Sequence, residues 1–286
     1  MLNKLFNIFI FTAVIFSAHN AHAEDEVQKL PGEEVVMNEV SQAQQERNDD
    51  EIIANALFDK VWDELTIQFG ESNIILPSQV VFLNGAPGAG KGTNTLTVMR
   101  ILEIPTKPIE VSSLLNSPEC EELKAQGKLI ADDIVVRQVM NELLRAENGR
   151  GVIIDGFPRS PIQAYFLKCL IAKLDEQNNG NVTAFRMINF SVTKQTSIDR
   201  QLARGEAAKR QNELAIQNGQ PVVPVRETDM SEEAAENRYN TYAATAYRCI
   251  AILENVIDVY DISSEGTMDE VRSRIYDILP SQSVQE

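Results

Sequence analysis

The chain has 286 residues and 43% apolar content, enough for one large α/β domain or two small ones with a sizeable core. Its formal net charge of −16 weighs against a DNA or RNA polymer as partner, because backbone-phosphate binding needs a basic face, whereas a small anion needs only a local basic cluster. The only two histidines, His19 and His22, fall in the first 23 residues, so beyond them Ser-His-Asp, Cys-His and His-ligated metal chemistry are excluded.

In chain order, "MLNKLFNIFIFTAVIFSAHNAHAEDE" comes first. One lysine, an apolar run from Leu5 to Ala18 and the small-x-small ending Ala21-His22-Ala23 read as a signal peptide over 1–23. The run is too short for a comfortable membrane span. Export to a periplasmic or secreted location is therefore expected; a cytoplasmic chain or one held by an uncleaved anchor is the alternative. Residues 24–51 carry ten acids against two bases and are expected to form a disordered or loosely helical acidic spacer. Ile52, Ile53, Ala56, Leu57, Val61, Leu65 and Phe69 then recur at helical spacing up to Gly70, so 52–78 is expected to hold an accessory amphipathic helix.

From residue 79 strands and helices alternate. "QVVFLN" (79–84), "GVIID" (151–155), "AFRMINF" (184–190) and "VIDVY" (256–260) have the short apolar form of buried strands. Helices are expected over about 91–102, 131–146 and 161–174. This order predicts an α/β fold around a parallel sheet. The polar stretch Gly205–Arg226, with Gly219 and two prolines, reads as a loop excursion. Cys120, Cys169 and Cys249 make no disulfide framework and are expected as buried apolar residues.

Two stretches carry chemistry. The first is Gly85-Ala86-Pro87-Gly88-Ala89-Gly90-Lys91-Gly92-Thr93, after a strand and at the head of a helix. Amides at a helix N-terminus present partial positive charge, glycines let a phosphate come close, and Lys91 adds a point charge. The general G-x-x-x-x-G-K-[ST] pattern places a hydroxyl directly after the lysine; here Gly92 intervenes and Thr93 comes one residue late. The second is "IIDGFPRSPIQA" (153–164), with Asp155 at the carboxyl end of a buried strand, where it can orient the waters of a magnesium ion. Arg159 follows on a proline-stiffened turn, and Gln163 offers an amide to a base edge.

"GAPGAGKGT", "GKLIADDIV" and "DGFPRSPIQA", in this order and spacing, resemble adenylate kinase and the related nucleoside monophosphate kinases over roughly 79–262. The resemblance implies a P-loop NTPase-type three-layer fold with a five-stranded parallel sheet in a core spanning 79–280. That core would carry a short acceptor-binding insertion at 110–130 and a lid at 204–229. The family's own loop has glycine after the lysine, with Thr93 then reaching a phosphate and Asp155 holding Mg²⁺ through water. The implied reaction moves the γ-phosphoryl of ATP to a nucleoside monophosphate, AMP first among them, with Mg²⁺ and no general base.

Carried over one at a time, Arg200 and Arg204 of "SIDRQLARG" become triphosphate contacts. Arg226 and the acid Asp229 come from "PVRETD", and Arg238 of "ENRYNTY" spans both phosphates. Lys91, Arg159, Arg200, Arg226 and Arg238 are thus the implied catalytic set. Gly156, Arg159, Gln163, Arg226 and Arg238, with the segment of Lys128 and Ile130, face the acceptor. No cysteine lies between 200 and 230, so no zinc-bearing lid is expected, and a monomer is. The acceptor side departs from the family: Val111, Ser113 and Asn116 stand where it has a threonine, an aspartate and an arginine, and the segment between Asn116 and Gly127 is shorter. Two other readings therefore stay open, an ATP-binding sensor or effector without phosphotransfer, and a P-loop kinase of a different small acceptor.

Overall fold

The computed structural model describes residues 33–126, 128–146, 151–177 and 183–279. The expected signal peptide, the first part of the acidic spacer, Gly127 and Pro280 lie outside the described residues. The chain divides into two units, the first ending at Glu46 and the main one spanning Arg47–Glu286.

In the main unit, β1 (Gln79–Gly85), β2 (Ile109–Glu110), β3 (Val152–Asp155), β4 (Ala184–Ser191) and β5 (Asp258–Ser263) form one sheet in the order β2-β3-β1-β4-β5. Every pairing is parallel, with Val80 opposite Val152 on one side of β1 and opposite Phe185 on the other. Strands covered on both faces must be apolar at successive positions, and all seven residues of β1 are buried. Alternate side chains go to opposite layers: Val80 and Phe82 to one core, Val81 and Leu83 to the other. The chain builds β2 and β3 on one side of β1 and then crosses to β4 on the other. In open α/β sheets ligands bind at the carboxyl ends of strands where the order switches in this way.

Helix α1 (Glu33–Phe69) begins earlier than its expected start at Ile52, so residues 33–51 take the helical of the two forms expected of the acidic spacer. Its buried stripe is also rotated from the expected one. Ala54, Phe58, Val61, Trp62 and Leu65 are buried, while Ile52 and Ile53 are 66% and 51% exposed. The aromatic pair decides the rotation, since Phe58 stacks on Trp62 and meets Phe166 edge-on, and rings bury more area than isoleucines. Ion pairs Asp50–Arg248, Glu51–Lys168 and Glu64–Arg137 add to this packing.

The remaining helices are α2 (Lys91–Ile101), α3 (Val111–Leu114), α4 (Pro118–Ala125), α5 (Asp132–Arg145), α6 (Pro161–Gln177), α7 (Lys194–Gln217), α8 (Glu232–Leu253) and α9 (Met268–Ile278). Helices α5 and α6, the end of α8 and α1 cover one face of the sheet; α2 and α9 cover the other. Among the described residues the segment between β2 and α5 holds the short helices α3 and α4.

Two expectations on the second half are corrected. The stretch 205–217 is not a loop, because α7 runs through it. Its Glu, Ala, Lys, Arg and Gln residues are good helix formers, and polarity all round a helix had been mistaken for irregularity. The coil that follows is clasped to α7 by Asn212, whose Nδ2 donates to Val223 O at 2.8 Å while Val223 N donates to its Oδ1 at 2.7 Å. β5 starts at Asp258, two residues later than expected, because the amides of Val256 and Ile257 bond back to Leu253 and close the end of α8.

Candidate active site

The glycine loop joins β1 to α2, with its amides at the helix head, as the fold requires for an anion site. Thr93 is exposed on the first turn of α2 beside Gly92. Lys91 folds back along the loop, its Nζ donating to Gly85 O at 2.6 Å and to Ala86 O at 3.2 Å. Burial pushes its ammonium down to about 8; the nearby Asp155 carboxylate opposes the shift, and the charges of Arg159, Arg238 and Arg204 add to it.

Asp155 ends β3 and Arg159 lies four residues on. Gly156 has φ +91°, and a Cβ there would stand 2.4 Å from Arg159 Nη2, so the guanidinium packs directly on the glycine backbone. Burial also pulls the Arg159 guanidinium below its ordinary value, with Asp155 opposing and Arg226 assisting. Arg238 is held at about 10 by burial first, then by Arg226 and Arg204, against the pull of Asp229. Five cations, Lys91, Arg159, Arg204, Arg226 and Arg238, thus feel one another at the carboxyl ends of β1 and β3. Cations gathered this closely in a strongly acidic protein, with Lys91, Arg159 and Arg238 lowered first by burial and then by their neighbours' charge, mark a site prepared for an anion.

Asp229 organises the arginines of α7 and α8. Its carboxylate is 2% exposed and accepts a fork from Arg204, Nε to Oδ2 at 2.6 Å and Nη2 to Oδ1 at 2.7 Å. Arg238 Nη1 reaches the same Oδ1 at 3.3 Å. The approach requires Gly205, where a Cβ would sit 2.3 Å from Asp229 O. Arg200 points elsewhere: its Nη2 donates to Ser264 O at 2.9 Å, while its Nη1 lies 3.4 Å from Gly88 O. It therefore lies between the glycine loop and the turn after β5, apart from the cluster around Lys91.

On the acceptor side the structure gives less. Gln163 is buried, its Oε1 accepting from Arg159 N at 2.7 Å and its Nε2 donating to Asp132 Oδ1 at 2.8 Å. Both ends of the amide read as a base contact are thus bonded within the protein. Val111 is buried, Ser113 Oγ donates to Glu110 O at 2.7 Å, and Asn116 and Lys128 are exposed, with Ile130 half-buried.

Sequence reasoning passed over three polar residues. Asp132 accepts from Ser160 Oγ at 2.5 Å and from Gln163, bracing the Arg159 turn. Ser197, fully buried, donates to Pro87 O at 2.6 Å and ties α7 to the glycine loop. Gln201, also fully buried, donates to Ala235 O at 3.2 Å beside Arg238. Ser197 and Gln201 are four apart on the helix that carries Arg200 and Arg204, and this one-face spacing was the available signal.

A strand-tipped G-x-x-x-x-G-K loop at the switch point of a parallel sheet defines a P-loop nucleotide-binding protein. Three curated relatives are named adenylate kinase. That of Mycobacteroides abscessus is 31% identical over 203 residues, covering 68% of this chain and 95% of its own. That of Corynebacterium aurimucosum is 27% identical over 202 residues (67% and 94%), and that of Flavobacterium psychrophilum 24% over 206 (70% and 97%). No protein-family model matches. The chain belongs to the adenylate kinase family of nucleoside monophosphate kinases, with about a third of its length outside the match.

Proposed function

We propose that the chain transfers the γ-phosphoryl of ATP to a nucleoside monophosphate, with AMP as the acceptor that the relatives' name supplies (ATP + AMP = 2 ADP). The observation that carries this reading is the convergence of Lys91, Asp155, Arg159, Arg204, Arg226 and Arg238 on one end of the sheet. The loop amides of 85–90 and Lys91 hold the β- and γ-phosphates of ATP, with Thr93 on a phosphate. Arg159 and Arg226 hold the acceptor phosphate, and Arg204 and Arg238 stand between the two. Arg200 lies at the ATP side.

An acceptor phosphate oxygen, already ionised near neutral pH, forms a bond to the γ-phosphorus as the bond to the β–γ bridging oxygen breaks. The electron pair leaves with ADP, and no protein base takes a proton. The guanidinium groups lower the barrier by meeting charge spread over the transferring oxygens, as bidentate donors do better than lysines. Closing the lid over both nucleotides excludes water.

Among the described residues no three His, Cys, Asp or Glu side chains gather as a direct chelate. Mg²⁺ keeps several waters and takes one or two carboxylates plus substrate phosphates, which Asp155 beside Lys91 fits. Bound there with ATP, it would neutralise charge on the β- and γ-oxygens.

The test is magnesium-dependent formation of ADP from ATP and each of AMP, GMP, CMP and UMP. Turnover with none removes this reading. ATP binding without turnover would favour a nucleotide sensor or effector, the reading motivated by Val111, Ser113 and Asn116. We also propose export through the leader at 1–23, checked by N-terminal sequencing of the native protein for a start at Glu24. No helix among the described residues is long and apolar enough to cross a membrane.

A further inference from the structure

The two halves of an acceptor, phosphate and base, meet unequal provision here. The phosphate end is assigned Arg159, Arg226 and Arg238: Asp155 is the acid acting on Arg159, and Asp229, which acts on Arg238, is already shared with Arg204. Among the described residues the base end has no comparable set. Gln163 is 3% exposed and forms a closed ring with its neighbours. Its Oε1 accepts from Arg159 N, its Nε2 donates to Asp132 Oδ1, and its own N–H bonds to Ser160 Oγ at 3.1 Å, whose hydroxyl also donates to Asp132. Turning this amide toward a base would give up both of its bonds, leaving the half-buried Asp132 with Ser160 Oγ alone and the Arg159 N–H to find water. Val111 is 3% exposed and aliphatic, and Ser113 Oγ is bonded to Glu110 O. On this side there are also the exposed Asn116 and the segment 128–130, where Leu129 is 42% exposed.

We propose that this acceptor site recognises a pentose phosphate monoester through its phosphate and does not discriminate among nucleobases, Gln163 serving as a strut that fixes the Arg159 turn and not as a reader of the base. The proposal rests on the kinase reading above and narrows it to an acceptor class. Sites built to hydrogen-bond a substrate group reject the analogue lacking it by about 10⁴–10⁵, whereas shape alone supplies only about 10- to 200-fold. A half-open base site with its polar side chains engaged elsewhere falls at the low end of the second class.

The experiment is calorimetric titration of the full chain, with Mg²⁺ and a non-hydrolysable ATP analogue filling the donor side, by AMP, GMP, CMP, UMP, ribose 5-phosphate and adenosine. The expected result is that the five phosphate esters bind within about tenfold of one another and adenosine at least about 30-fold more weakly. A wider spread among the esters, adenosine binding as well as AMP, or no ester binding at all overturns the proposal.

Gln163→Ala sharpens it. A strut weakens every ester by the same factor, ribose 5-phosphate included, while a base reader weakens one nucleotide and spares ribose 5-phosphate. Should this variant fail to fold, the wild-type ligand panel decides alone. The kinase reading fails separately. Turnover confined to AMP with a wide affinity spread sinks this inference and keeps the kinase, whereas uniform binding without phosphoryl transfer does the reverse.

Discussion

The donor and acceptor sides of the cleft are built by different means. On the proposed donor side the phosphate contacts would come mainly from one short run of backbone, 85–93, fixed by the strand before it and the helix after it, with Ser197 holding that run in place. On the proposed acceptor side the charged groups come from the Arg159 turn, from Arg226 before the turn at Glu227–Asp229 and from α8, and their geometry depends on the half-buried Asp132 and the buried Asp229. A site made of backbone tolerates change around it. A site made of guanidinium groups on three elements can lose one member and still bind a phosphate, and the departures that the family resemblance implies fall on that second side.

The largest expected effect lies on the donor side. Lys91→Ala should lower kcat for ADP formation by about 10²–10³-fold, the usual consequence of removing one preorganised charge at a transferring group. Circular dichroism should stay unchanged. A loss under about tenfold would mean that the loop amides alone define the donor half. On the acceptor side Asn116→Arg restores a charge where the family has one. At about 1.5–3 kcal/mol for a charge-assisted bond, acceptor kcat/KM should rise at least roughly tenfold, with KM for ATP unmoved. A change in ATP KM would show that the two sides are not separable.

Gly205→Ala acts between them. The new Cβ meets Asp229 O, and overpacking of this kind costs about 1–3 kcal/mol, visible as a lower midpoint in urea together with raised KM for both nucleotides.

The smallest effect follows from pH. With Lys91 at about 8 when free, a bound triphosphate that keeps it charged should take up protons near pH 8, and affinity for ATP should weaken up to about tenfold from pH 7 to 9. Calorimetry in two buffers of different ionisation enthalpy measures that uptake directly. Because the folded value lies below the ordinary 10.5, the unfolded chain holds more protons between the two, so this lysine's contribution to folding stability rises with pH across that window.

The contrast between the two sides also explains what the sequence revealed. Gly85–Thr93 and Asp155–Gln163 were legible because each acts through residues adjacent in the chain, and strand-loop-helix order places them. Ser197, whose partner Pro87 lies 110 residues away, and Asp132, 28 residues from Ser160, act through contacts that no local pattern carries. Gln163 was identified from its motif, which shows an amide and not its bonds to Arg159 N and Asp132. The polar stretch from Gly205 reads as a loop because helix α7 is polar all round there, and the lack of a side chain at Gly205 serves the approach of Asp229. In α1 the period was right and the phase was wrong; Phe58 and Trp62 outweighed Ile52 and Ile53 once Phe166 supplied a partner.

One carboxylate serving two arginines has a consequence for how an anion enters. When a phosphate draws Arg238 away, Asp229 keeps the paired donors of Arg204; when Arg204 leaves, Arg238 can close on the vacated oxygen. Because both guanidinium groups reach the same carboxylate, either one could turn to an incoming anion while the other stays on Asp229, so the buried acid need never be left unpaired.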